Sequence, residues 1–161
     1  MRFRSTPKPS PIPRTSIGRY VQAALAQREQ RTTLVKLLNG GQPGINYSEG
    51  AVLEIVCELL VRQYFSPERD PLEVARFVSD LRLRLTPDPP DQAEAEALIL
   101  ALLGDPLIII SGIDPLDMIV IHFSVIAQIR QKLSLDESAI DKLILASERI
   151  AFERGWNPPL A

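Results

Sequence analysis

The sequence is poor in the residues from which most catalytic and metal sites are built. Its 161 residues include one cysteine, Cys57, and one histidine, His122. A single thiol can form neither an internal disulfide nor a cysteine-based zinc site. Because chains without disulfides are typical of reducing compartments, we expect a cytoplasmic protein that holds no metal.

Motifs that bind nucleotides or cofactors are also missing. The three glycines between residues 39 and 44 are not followed by the GK[ST] of a phosphate-binding loop. Ile119 stands three residues before His122, where a di-iron bundle would carry glutamate. A dyad of Cys57 and His122 has no local support, and a packed thiol with a hydrogen-bonded core imidazole explains both residues more simply. The sequence therefore predicts a protein that is not an enzyme and that binds no cofactor or small-molecule ligand.

Long apolar runs are absent too. No stretch reaches the roughly 18 apolar residues that a membrane-spanning helix needs. The longest, residues 98–113, is interrupted by Gly104, Asp105, Pro106 and Gly112. The first residues lack the apolar core of a secretory signal, so we expect no membrane association of either kind.

Positive charge is concentrated in the N-terminal third of the chain. Residues 1–48 hold eight of the 18 Lys and Arg residues but only Glu29 of the 20 acidic residues. Their charge of +7 and the charge of −9 on residues 49–161 together give the net charge of −2. This asymmetry predicts a basic arm on an acidic body. The arm could contact nucleic acid, an anionic membrane, an acidic partner or the chain's own acidic surface.

What the sequence does contain is helical periodicity. The most apolar stretch runs from Asp114 to Leu133, where Asp114 can cap a helix and Pro115 suits its first position. A helix that is apolar on all sides is typical of a buried element. We therefore predict that this stretch is the central helix of an all-α bundle of about six helices. The predicted helices cover residues 16–38, a stretch from Asn46 or Ser48 to about Phe65, then 71–85, 93–103, 115–133 and 135–154. Asp91, with Glu94 three residues later, is the predicted cap of the fourth helix.

Proline marks the segments outside these helices. Prolines at every second position from Pro7 to Pro13 predict that residues 1–15 form a disordered basic arm. The sequence TPDPPD at residues 86–91 predicts a stiff connector. Residues 16–161 are predicted to be a single helical domain, which this connector would divide if there are two subdomains, 16–85 and 91–161.

Two local predictions concern the C-terminal half. Residues 105–112 combine an Asp-Pro start, which favours a helix, with a β-branched run, which favours a strand. We favour a short buried helical segment. Ser134, with Glu137 three residues later, is the predicted cap of the last helix, and Gly155 is its predicted end.

Unusually apolar helices without a plausible catalytic site predict a non-enzymatic interaction module, which could be an adaptor, a chaperone or an assembly protein. Its partner would be another protein or a second copy of the chain. The aromatic residues expected at the interface are Tyr64, Phe65, Phe152 and Trp156. The alternative is a nucleic-acid-binding regulator that uses the basic arm and the first helix. Its phosphate-contacting residues would be Arg2, Arg4, Lys8, Arg14, Arg19, Arg28 and Arg31.

Overall fold

The described part of the chain folds into a bundle of six α-helices. A computed structural model describes residues 12–26, 47–85, 88–108 and 110–161, and these ranges contain no strand beyond one isolated bridge. The helices are α1 (Ser16–Ala26), α2 (Tyr47–Tyr64), α3 (Glu73–Arg84), α4 (Gln92–Leu102), α5 (Pro115–Lys132) and α6 (Glu137–Glu153). The predicted all-α bundle of about six helices is confirmed. The second half of the predicted first helix lies outside the described residues.

Two helices begin where the sequence places a cap. The Asp91 carboxylate accepts a hydrogen bond of 2.9 Å from the backbone N–H of Glu94 and so caps α4. Asp114 accepts one of 2.8 Å from the N–H of Leu116, with Pro115 in the first turn of α5. These side chains satisfy N–H groups that have no partner within the helix.

The predicted cap of the last helix is wrong, because Asp136 rather than Ser134 caps α6. The Asp136 carboxylate accepts a hydrogen bond of 2.8 Å from the N–H of Ala139. Ser134 instead ends α5: its φ of 50° is left-handed, and Leu135 N–H donates to the Arg130 carbonyl at 3.0 Å. This arrangement is a Schellman ending, which leaves Ser134 no backbone geometry for a cap.

The core is centred on α2, which packs against α1, α4, α5 and α6. Its side chains Leu53, Val56 and Leu60 are fully buried. Helix α5, predicted to be central, is buried on several sides and, among the described helices, packs mainly against α2, α3 and α4. Helices before and after the proline-rich connector share one hydrophobic cluster. The proposed division into two subdomains stays a prediction.

The predicted buried helix at residues 105–112 is wrong. The described residues of this stretch form turns, and Leu107 is 86% exposed. The Asp105 carboxylate accepts a hydrogen bond of 3.0 Å from the N–H of Leu107, which is a turn that competes with helix. Gly104 and Gly112 have left-handed φ values of 85° and 96°, so the chain turns at both ends of the segment.

None of the helices in the described ranges is long and apolar enough to cross a lipid bilayer.

Candidate functional site

The residues that precede α1 are paired with the residues that follow α6. Ser16 N–H donates to the Pro159 carbonyl at 2.9 Å, and Ala161 N–H donates to the Arg14 carbonyl at 3.0 Å. Thr15 and Leu160 form an antiparallel bridge. We call residues 12–16 and 157–161 the terminal segments. Of the predicted disordered arm, residues 1–11 lie outside the described part of the chain, whereas Thr15 is fully buried, so residues up to 15 are not all part of a free arm.

A buried glutamate of α6 holds the N-terminal segment. Glu148 is 2% exposed, and its carboxylate accepts hydrogen bonds from the backbone N–H groups of Arg14, at 3.0 Å, and of Thr15. The Thr15 hydroxyl accepts one of 2.9 Å from the N–H of Gly18. In an ordinary capping box, one helix supplies both the threonine and, three residues later, the glutamate. Here position 18 is glycine, and Glu148 supplies the carboxylate from another helix.

Gly18 is required by this arrangement because α1 and Glu148 approach closely. A Cβ at position 18 would lie 2.8 Å from Glu148 Oε2, 2.9 Å from the Pro13 Cβ and 2.9 Å from Thr15 Oγ1. Cβ atoms essentially never approach atoms of other residues so closely in folded proteins. The glycine therefore leaves space for the Glu148 carboxylate, which takes the place of the glutamate that a capping box would have at position 18.

The other end of α1 is also stabilised by a distant charge. Helix α1 has no acidic residue in its first turn and no basic residue in its last. The Arg130 guanidinium of α5 donates to the Leu25 carbonyl, and its Nε donates to the Leu135 carbonyl at 3.3 Å. Negative charge at the helix start and positive charge at its end oppose the helix dipole favourably. For α1, Glu148 and Arg130 supply both charges from other helices.

A third polar contact lies between these two ends. Gln22 Nε2 donates to Asp141 Oδ1 at 2.8 Å, and Asp141 is 4% exposed. A pocket of about 310 Å³ opens beside it, lined by Gln22, Ala23, Leu25, Arg130, Glu137, Ile140 and Asp141. Glu148, Asp141 and Arg130 therefore connect the start, the middle and the end of α1 to α6 and α5.

Four large apolar side chains are exposed on the terminal segments, in the last turn of α6 and just beyond that helix. Ile12 is 68% exposed, Leu160 69%, Phe152 40% and Trp156 39%. Phe152 stands one turn after Glu148 on α6, and Trp156 N–H donates to the Ala151 carbonyl just beyond the helix. We call Ile12, Phe152, Trp156 and Leu160 the terminal face.

The four aromatic residues predicted at an interface do not form one group. Phe152 and Trp156 belong to the terminal face, whereas Tyr64 and Phe65 pack together with Phe77. Ring centroids in this second group are 4.8 Å apart for Tyr64 and Phe65 and 5.4 Å apart for Phe65 and Phe77. Phe65 is 2% exposed and Tyr64 is half-buried. Phe65 therefore stabilises the core, and a partner could not reach it without local opening.

Two of the basic residues predicted to contact nucleic acid lie beside the terminal segments. Arg14 and Arg19 are both exposed, and Arg19 Nε donates to the Pro13 carbonyl at 3.2 Å. The other five, Arg2, Arg4, Lys8, Arg28 and Arg31, lie outside the described residues.

The single histidine and the single cysteine are both core residues. His122 is 5% exposed, its burial lowers its pKa to about 4, and its Nε2 has no hydrogen-bond partner among the residues described. The predicted burial of the imidazole is confirmed, but the predicted hydrogen bond is absent at Nε2. Burial, with smaller contributions from Glu54 and Glu58, raises the pKa of the Cys57 thiol. A protonated, buried thiol is a poor nucleophile.

Carboxylates also line a pocket of about 390 Å³ where α4 and α5 begin. Its lining residues are Asp88, Pro89, Pro90, Asp91, Glu94, Asp117 and Val120. Across the described ranges, no group of three or more His, Cys, Asp or Glu residues could hold a metal ion.

Glu148 and Asp141 were not predicted as site residues, although the sequence carries a signal for both. Asp141 and Glu148 lie three residues before and four after Ile144, so they fall on the apolar stripe of α6. An acidic residue at such a core-facing position predicts a buried carboxylate, which needs hydrogen-bond donors because an unpaired buried charge is unfavourable. The hydrogen-bond donors to Asp141 and Glu148 could not be identified from the sequence of α6 alone.

Comparison of the chain with protein-family models, with curated proteins and with solved structures found no match.

Proposed function

We propose that the protein is a non-enzymatic helical interaction module that binds another protein, or a second copy of itself, through the terminal face. The observation that supports this proposal is the exposure of Ile12, Phe152, Trp156 and Leu160, between 39% and 69%, on segments joined by hydrogen bonds. Exposed apolar groups of this size cost free energy in water, and a partner that covers them recovers it.

The composition of the terminal face favours protein binding. Aromatic side chains are enriched among the residues that contribute most to protein interfaces, and tryptophan is the most enriched of them. Trp156 is the only tryptophan of the chain, and it lies on this face together with Phe152. The Phe152 carbonyl accepts a hydrogen bond from Gly155 N–H, and Trp156 N–H donates to the Ala151 carbonyl. A backbone fixed in this way lowers the entropy cost of binding.

The double substitution of Phe152 and Trp156 by serine is expected to weaken binding about 1000-fold, because truncation of an aromatic hot-spot residue costs about 2 kcal/mol. Self-association is measured first, by sedimentation velocity of the purified chain over a concentration series. Candidate partners captured from cells are purified, and their affinity is measured by the change in emission of the single tryptophan. For the double variant, which lacks this reporter, a labelled partner is titrated instead.

The matched control replaces Leu83 and Leu107, which are 75% and 86% exposed and lie far along the chain from the terminal face. Their double serine variant should bind as the unmodified protein does. The proposal would be contradicted if both double variants weakened binding equally. It would also be contradicted if the serine substitutions of Phe152 and Trp156 changed neither the affinity for a partner nor self-association.

A second candidate function is electrostatic binding of nucleic acid. The supporting observation is that Arg14 and Arg19 are both exposed and that the Arg19 side chain donates to the carbonyl of Pro13, the residue before Arg14. Anisotropy of labelled DNA and RNA is measured across a salt series, with Arg14→Gln/Arg19→Gln as the variant and Arg69→Gln/Arg76→Gln as the control. If phosphates are bound, affinity falls steeply with salt and each lost contact lowers the salt slope by about 1. Absence of binding at low salt would exclude this candidate.

A further inference from the structure

Helix α1 covers apolar surface of the bundle, and its main neighbours among the described helices are two. It packs against α2 and α6, and its side chains Ile17, Val21 and Ala24 are buried. A helix of 11 residues is marginal in isolation, so its stability depends on the contacts it makes with the rest of the chain. These contacts decide whether α1 can leave the bundle while the rest stays folded.

The Glu148 carboxylate of α6 holds the N-terminal segment, which continues directly into α1. It binds the N–H groups of Arg14 and Thr15, while the Arg14 carbonyl accepts the N–H of Ala161. Residues 14–16 therefore contact both Glu148 of α6 and the C-terminal segment. A buried carboxylate that loses its donors carries a large desolvation cost, so partial separation of this stretch from Glu148 is unfavourable.

We propose that α1 and the two terminal segments separate from the bundle and return to it as one unit. The hydrogen bonds to Glu148 hold this unit in the closed state. In the closed state, the N-terminal segment lies between Glu148 and the C-terminal segment, and both α1 and the terminal face are assembled. In the open state, the apolar surfaces of α2 and α6 that α1 covers are exposed to water. Local units of this kind open with a free energy below that of global unfolding.

Backbone hydrogen exchange of the full chain in the folded state tests the proposal. In the unmodified protein, the amides of α1 are expected to exchange through one common opening, and this opening should be faster than exchange in α2 and α5. Glu148→Gln replaces one oxygen acceptor with an amide donor, and it should speed exchange in α1 about 10- to 100-fold, the equivalent of losing hydrogen bonds to a charged group. Exchange in α3, α4 and α5 should change by less than about twofold, as for regions that do not take part in the opening.

The matched control is Glu153→Gln, which removes an exposed carboxylate from the last turn of the same helix. It should leave exchange in α1 unchanged. A second variant ends the chain after Asn157 and so removes the residues that pair with Arg14 and Ser16. It should also speed exchange in α1, and its effect together with Glu148→Gln should be less than the sum of the two in free energy, since both open the same unit.

Four outcomes would overturn the proposal. Glu148→Gln could speed exchange equally in all six helices, which would show a general loss of stability. It could leave exchange in α1 unchanged, or the truncated chain could protect α1 as well as the full chain does. Finally, the amides of α1 in the unmodified protein could exchange only through global unfolding. This outcome is measured on the unmodified protein and does not depend on whether a variant folds.

Discussion

Gly18→Ala is expected to destabilise the protein by about 1–3 kcal/mol, the usual cost of inserting a methyl group into a filled site. At an ordinary helical position the same change stabilises by about 1 kcal/mol, because alanine loses less backbone entropy than glycine does. Here the added Cβ would lie within 3.0 Å of atoms of Glu148, Pro13 and Thr15. To make room, the Glu148 carboxylate or the N-terminal segment must move, and the hydrogen bonds between them weaken. Equilibrium unfolding in urea measures the change.

The control for this prediction is the opposite exchange in the same helix. Ala23 is exposed on α1, and Ala23→Gly should destabilise by about 1 kcal/mol through helix propensity alone. Both exchanges are therefore expected to destabilise the protein, although they run in opposite directions. A stabilised Gly18→Ala variant would show that the carboxylate of Glu148 does not need the space that the glycine leaves.

Acidification from pH 7 to 4 is expected to reduce the free energy of unfolding by about 3 kcal/mol through His122 alone. In the folded protein, burial lowers the pKa of this imidazole from 6.5 to about 4. The unfolded chain therefore binds more protons in this interval, and stability falls as the pH falls from 6.5 towards 4. Stability is measured by urea unfolding at half-unit steps for the unmodified protein and for His122→Met.

The comparison between the two proteins isolates His122, because every other titrating group is common to both. At pH 7 His122→Met should be as stable as the unmodified protein or more stable, since it removes a buried Nε2 that has no partner in the described residues. The two stability profiles should separate by about 3 kcal/mol between pH 6.5 and pH 4. Parallel profiles would mean that the folded protein protonates His122 as readily as the unfolded chain does.

The helices and several of their boundaries follow from local chemistry that the sequence displays. Asp91 and Asp114 are at the caps where they were predicted, because a cap depends only on a short side chain and the next few N–H groups. Ser134 failed as a cap for an equally local reason. Two candidate caps lie two residues apart, and the left-handed ending of α5 takes Ser134 and leaves Asp136 to begin α6.

The candidate interaction site was only partly predictable. Phe152 and Trp156 were predicted as interface residues, and the structure places both on the exposed terminal face, whereas Phe65, predicted with them, is buried against Tyr64 and Phe77. Large aromatic side chains serve equally in cores and in interfaces. Residue type cannot separate the two uses, because burial depends on which helices pack over the side chain.

The sequence by itself determined an all-α bundle, a core of aliphatic side chains and the burial of Cys57 and His122. These properties follow from residue composition and from the period of 3.6 residues, which act within single helices. Tertiary structure alone decided that α2 is the centre of the bundle and that Glu148 and Arg130 stabilise the two ends of α1. Glu148 and Thr15 are 133 positions apart, and no local pattern encodes a contact over that separation. The pairing arises only when packing places a buried carboxylate against N–H groups that α1 cannot satisfy itself.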